Sequence, residues 1–237
     1  MRNASSGGLA FVDFARLIAT GPAADVARIL TSTPDLATVS ADVGATRQRA
    51  ADFFLVDIRH YVYGGDTALH IAAAAFRRPI AELLIRHGAD VGARNRRGAQ
   101  PLHYASDGNH ANPAAQAATI EYLASIGADP HAVDRSGVAP LHRAVRTRSL
   151  AAVRALLDAG ADPRQPNAAG STPLHLAVQP TGRGGSGSEA AHTQQVAILQ
   201  LLLERGAKLT DRDGKGKDVC EAARGDWVRR VLDRALG

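Results

Sequence analysis

The 237 residues include one cysteine, one methionine, one tryptophan and three lysines. Each scarcity excludes something. The lone Cys220 cannot form an intrachain disulfide, which leaves a reducing compartment open to the chain. Aromatic residues are 4% of the chain against 45% hydrophobic. Any core is therefore aliphatic and Ala-rich, suited to closely packed helices rather than a wide β-sandwich. No run of about 18 apolar residues occurs, so no membrane span is expected. The opening MRNASSGGLAFVDFARLIAT is interrupted by Asp13 and Arg16 and reads as an amphipathic helix, not a secretory leader. These features predict a cytoplasmic protein.

The formal charge of +5 rests on 25 arginines. With abundant Ala and Gly, that preference reads as GC-rich coding. No basic run is interleaved with aromatics, so nucleic acid is not an expected partner. Catalytic patterns are absent as well. The window GGSGS at 184–188 ends in Ser where a nucleophile elbow needs Gly, and no H-E-x-x-H occurs. The acidic window at 211–221 fails as a calcium loop, because Lys215 takes the fifth position and Glu221 falls short of the twelfth. The sequence therefore predicts no enzyme, no metal and no cofactor.

What the chain does contain is a repeat. Four short segments match: TALH at 67–70, QPLH at 100–103, APLH at 139–142 and TPLH at 172–175. Their histidines, His70, His103, His142 and His175, are spaced by 33, 39 and 33 residues. Each is followed by a landmark: HGAD at 87–90, IGAD at 126–129, AGAD at 159–162 and RGAK at 205–208. From His to landmark Gly the distances are 18, 24, 18 and 31, whereas from landmark Gly to the next His they are always 15. Insertions of 6 and 13 residues thus lie inside two units and never between units. Within a unit, a Pro suited to the first helical position opens a short helix. A second helix carries an apolar stripe, such as Leu150, Val153, Leu156 and Leu157, and ends at the landmark Gly.

This pattern resembles the ankyrin repeat, over roughly residues 59–223. The resemblance implies an all-α solenoid of about six helix pairs with short β-hairpin fingers and degenerate terminal caps. Residues 1–58 are expected to hold a degenerate capping helix pair turning at Gly21-Pro22, a linker over 31–46 and an extra helix over 47–58. Residues 59–209 would be four repeats, with insertions near 107–113 and 180–192, and residues 210–237 a capping repeat in which Glu221 replaces the signature His. Fingers are expected at 59–66, 94–98, 133–137, 166–170 and 212–216. The four histidines would tie fingers together by hydrogen bonds. Equivalent atoms of a translational repeat do not converge on one metal ion.

Function, on the same resemblance, is binding of another protein, of acidic character, by a monomer. The expected contacts are Arg94, Asn95, Arg96, Arg97, Asp134, Arg135, Arg146 and Ala168, on finger tips and inner helices. A second reading uses both insertions as walls of a lateral groove for a small anion or nucleotide. Its residues would be Asn109, His110, Arg146, Arg148, Arg183, Ser186 and Ser188, aided by free N–H groups where the helix after Ser188 starts. Gly182, Gly184 and Gly187 spell G-x-G-x-x-G, but an inner helix precedes them where a dinucleotide fingerprint needs a strand. A third reading is a secreted effector that binds host proteins.

Overall fold

The first apolar stripe folds into a helix pair. Gly21 and Pro22 separate α1 (Ser6–Thr20) from α2 (Ala23–Ser32). Phe11, Phe14 and Ile18 of α1 and Val26 and Leu30 of α2 are buried. The computed structural model describes residues 6–107, 112–180, 188–224, 228, 229, 231 and 232, with side chains from residue 11 onward. The chain divides into two compact units, 1–129 and 130–237.

In the first unit, two further pairs follow: α3 (Ala68–Ala74) with α4 (Arg78–Arg86), and α5 (Pro101–Ala105) with α6 (Pro113–Ser125). First helices pack on first helices, α3 lying against α1 and α5, and α4 lies against α2 and α6. The second unit repeats the plan with α7 (Pro140–Arg146), α8 (Leu150–Asp158), α9 (Pro173–Ala177) and α10 (Glu189–Glu204). There α7 packs on α9, α8 on α10, and α11 (Val219–Ala222) on α9. The landmark glycines Gly88, Gly127, Gly160 and Gly206 adopt φ between 87° and 97°. Side chains rarely adopt that left-handed conformation, which is what ends an outer helix there.

Residues 47–58 do not form the expected helix. They hold a 3-10 turn at Ala51–Phe53 and the strand β1 (Phe54–Leu55), which pairs antiparallel with β2 (His60–Tyr61). Phe54 and Ile58 have helical spacing, but the run FFLVDIRHYVY is rich in aromatic and branched residues, which favour a pleated surface. Phe54 sits opposite Tyr61, and Leu55 is buried. The expected linker is likewise tied down. Ser40 bridges to Thr67, and the Ala41 and Ala45 N–H groups each donate at 2.8 Å, to the Asp66 and Val62 carbonyls. Later fingers are turns rather than strands among the described residues.

The insertions lengthen the outer helices. Where nothing is inserted, α4 and α8 have 9 residues; α6 has 13 and α10 has 16. One buried glutamine anchors each longer helix. In the uninserted units a backbone N–H closes the turn, Arg77 donating to the Ala72 carbonyl at 2.9 Å and Ser149 to Ala144 at 3.1 Å. Gln116 and Gln195 stand at the same place, eleven residues before the landmark glycine. The Gln116 amide donates to the Ala105 and Asp107 carbonyls at 2.9 and 3.0 Å, and that of Gln195 to Ala177 and Gln179. A side-chain amide thus replaces the lost backbone donor, as buried carbonyls require.

Candidate functional site

The four signature histidines are fully buried or nearly so. His70 Nδ1 accepts the Thr67 N–H at 3.1 Å, and its Nε2 lies 3.1 Å from the Ala99 carbonyl. His142 Nδ1 accepts the Ala139 N–H at 3.1 Å, with Nε2 3.3 Å from the Ser171 carbonyl. His175 joins the Thr172 N–H to the Lys217 carbonyl, at 3.3 and 3.2 Å, and His103 Nδ1 accepts the Gln100 N–H at 3.1 Å. A nitrogen that accepts a backbone N–H carries no proton, so the proton sits on Nε2 and is donated onward. The rings of His70, His142 and His175 are neutral ties from one finger to the next. Burial pushes the His142 imidazole below its ordinary value, outweighing the Ser171 and Gln165 carbonyls and the Asp134 charge, which favour the cation. Glu221 fills the corresponding place before the C-terminus, its carboxylate accepting the Asp218 N–H at 2.9 Å. Among the described residues no His, Cys, Asp or Glu group could hold a metal ion.

A second repeated element lies eight residues before His103, His142, His175 and Glu221. These positions are Asn95, Asp134, Asn167 and Asp213. Each side-chain Oδ1 accepts the N–H groups two and four residues on: Arg97 and Ala99 for Asn95, Ser136 and Val138 for Asp134, Ala169 and Ser171 for Asn167, Lys215 and Lys217 for Asp213. All eight bonds are 2.8–3.1 Å. The glycine three residues on takes φ of 68–76° in every case. The finger backbone is thereby satisfied from within, as in an Asx turn. The two side chains between Asx and Gly are exposed in each finger: Arg96 and Arg97, Arg135 and Ser136, Ala168 and Ala169, and Lys215 after Gly214.

These bonds sort the expected contact residues. Asn95 is buried, 4% exposed, and Asp134 has a side chain only 10% exposed, so both hold fingers rather than face outward. The Arg143 guanidinium lies 3.0 Å from Asp134. Burial works against the Asp134 charge, but Arg143 and the Val138 and Ser136 N–H groups outweigh it and hold the carboxyl below its ordinary value. Arg94 is exposed but reaches back to the Gly98 carbonyl at 3.0 Å. Arg96, Arg97, Arg135, Arg146 and Ala168 are exposed. The Ala168 backbone also abuts the finger before it: a Cβ on Gly137 would meet the Ala168 nitrogen at 2.6 Å. Asx spacing relative to the signature His was the sequence signal for the Asn95 and Asp134 roles.

The first unit's tip rests on a buried polar cluster. Asp66 is fully buried. Its carboxylate accepts the Tyr63 N–H at 2.7 Å, the Asn95 amide at 2.8 Å and the Tyr104 hydroxyl at 2.8 and 3.0 Å. The Asn95 amide also donates to the Tyr104 oxygen at 2.8 Å. Above this cluster, Arg97 lies 4.8 Å and Arg96 5.6 Å from the centre of the Tyr63 ring, and Arg96 donates to the Ala45 carbonyl. Neither Asp66 nor Tyr104 stood out in the sequence. The one hint was a tyrosine right after a signature His, where the other units have Ile71, Arg143 and Leu176.

Of the lateral-groove residues, Asn109, His110, Arg183 and Ser186 lie outside the described residues. Arg148 is turned inward, donating to the Pro180 carbonyl at 3.0 Å and the Gln179 carbonyl at 3.3 Å, and burial lowers its pKa. Arg146 is exposed. The Ser188 hydroxyl accepts the Ala191 N–H at 3.3 Å, so it caps α10 itself, and Glu189 places a carboxylate in the first turn. Both features disfavour an anion at this helix start.

A family model described as ankyrin repeats in three copies matches residues 43–116 and 111–213. No curated protein matches the chain. Such repeats are generally protein–protein interaction modules and typically non-enzymatic. Among the described residues no helix is long and apolar enough to cross a membrane. With most of its length matched, and with buried histidines joining Asx-held fingers, the chain belongs to the ankyrin repeat family.

Proposed function

We propose that the chain is a non-enzymatic binding module that takes an acidic protein partner on its finger tips and on Arg146. One observation carries this reading. The finger Asn and Asp side chains are consumed internally, so the exposed tips carry Arg96, Arg97, Arg135 and Lys215 with no carboxylate among them. Exposed charge of one sign steers an oppositely charged partner and sets its orientation. Ala168 supplies a small, close-approach surface between charged tips.

The division of labour along the chain follows. Residues 59–209 act as the recognition repeats, and 1–58 and 210–237 act as capping segments at the two ends of the chain. Buried Phe11, Phe14, Val228 and Leu232 support that role, since end units must hide the last apolar faces and so favour a monomer. The anion reading has weaker support, given the Ser188 cap and Glu189. The test is affinity capture from cell extract on the full chain and on the triple variant Arg96→Glu/Arg97→Glu/Arg135→Glu. Acidic proteins held at low salt and lost on the variant are the expected result. Capture indifferent to the variant moves the interface away from the tips.

A further inference from the structure

The hairpin β1–β2 runs into the first finger, β2 being part of it, and has no strand counterpart in the later fingers among the described residues. Its rings, Tyr61 exposed and Phe54 half-buried, continue the tip. Phe54 and Tyr61 have centroids 4.7 Å apart, Tyr61 and Tyr63 6.3 Å, and Arg97 lies 4.8 Å over Tyr63 with Arg96 beside it. Three rings and two cations thus form one unbroken strip. Of the five large hydrophobic side chains exposed among the described residues, four lie between 39 and 61: Val39, Val43, Val56 (68% exposed) and Tyr61 (38% exposed).

We propose that this strip is a docking surface for an extended acidic peptide segment of a partner protein. Carboxylates would pair with Arg96 and Arg97, and an aromatic or branched aliphatic side chain would rest on Phe54 and Tyr61. The proposal rests on the finger-tip reading and extends it onto the hairpin. Charge complementarity selects the occupant: residues 94–97 carry three arginines and no acid, and no carboxylate pairs with Arg96 or Arg97 among the described residues. Both guanidinium carbons lie over the Tyr63 ring; Arg96 spends one N–H on the Ala45 carbonyl, and its remaining N–H groups and those of Arg97 are the donors offered to a carboxylate. The rings are tilted by 44° and 48° to one another and Phe54 and Tyr63 are half-buried. They offer a shallow apolar seat for a side chain, not the parallel platforms on which successive bases stack. From Tyr61 to Arg97 the strip spans no more than about 11 Å, or about three residues of extended chain.

The test is panning of a displayed random-peptide library on the full chain, then anisotropy titrations of the enriched peptides. The proposal expects an acidic residue and an aromatic or aliphatic one spaced about two to four residues apart. It also expects Tyr61→Ser to weaken binding about tenfold, Tyr61→Phe to leave it intact, and Arg96→Glu/Arg97→Glu to abolish it. Purely acidic binders that are lost on the arginine reversal yet indifferent to Tyr61→Ser overturn the strip and leave the finger-tip reading standing. Binders indifferent to both changes, or no enrichment, overturn both. Displacement of the peptides by oligo(dT) overturns the choice of a peptide over single-stranded nucleic acid.

Discussion

The Asn95 amide donates to the fully buried Asp66 carboxylate at 2.8 Å and joins the second finger to the base of the first. This places Asn95 in the frame of the binding surface, not on it. Asn95→Ala removes a donor from a buried charge and an acceptor from the Arg97 and Ala99 N–H groups. A loss of about 2–3 kcal/mol in urea unfolding is expected. The adjacent Arg97→Ala change should stay within about 0.5 kcal/mol. Equal losses would contradict the division between frame and surface.

Stability should depend on pH through His142. Its folded pKa lies below the ordinary 6.5, so the folded state binds fewer protons than the unfolded one. The contribution is therefore complete above about 6.5 and is lost as pH falls from there toward the folded value. Asp134, held below 3.8, acts in a lower window: its contribution is present above that value and lost as pH falls through its folded pKa. Unfolding midpoints at about pH 7.5 and 5.5 should drop further for the wild type than for His142→Gln. Identical drops would remove His142 from the account.

Gln195 and Gln116 should matter more than their polarity suggests. Gln195→Leu takes a donor from the Ala177 carbonyl and leaves the Gln179 carbonyl with only Arg148, and should cost about 1–3 kcal/mol. The neighbouring Gln194 is exposed, and Gln194→Leu should be near neutral. A thermal melt of the two variants decides, and equal melting temperatures would argue against the anchor.

The close approach of fingers in the second unit predicts an asymmetry between two glycines of equal φ. A Cβ on Gly170 would clash with the Gly214 backbone, whereas one on Gly216 meets nothing within 4 Å. Gly216→Ala should cost only the left-handed conformation, about 1–2 kcal/mol. Gly170→Ala should cost distinctly more, measurable as a lower urea midpoint. The reverse order would mean the fingers are not in contact there.

The helix pairs, the histidine positions and both insertions were legible because covalent spacing repeats them. His70, His103, His142 and His175 announce themselves by number alone. Asn95 and Asp134 were visible by the same spacing but assigned outward, because a polar residue on a turn reads as solvent-facing until its backbone bonds are counted. Residues 47–58 depart from their sequence pattern for a different reason. Phe54 and Ile58 satisfy a helical interval, and only cross-strand pairing with Tyr61 shows that a period of two applies. The Asp66–Tyr104 contact joins residues 38 apart that belong to different repeats, so no local pattern encodes it.

The most direct test of the whole account is a binding titration of an acidic partner recovered by the capture experiment, at two ionic strengths, with the wild type and with Arg96→Glu/Arg97→Glu. The expected result is an affinity that weakens with salt in the wild type, and falls at least about tenfold in the variant while the variant still unfolds in one cooperative transition. Unchanged affinity in a normally folded variant would contradict it.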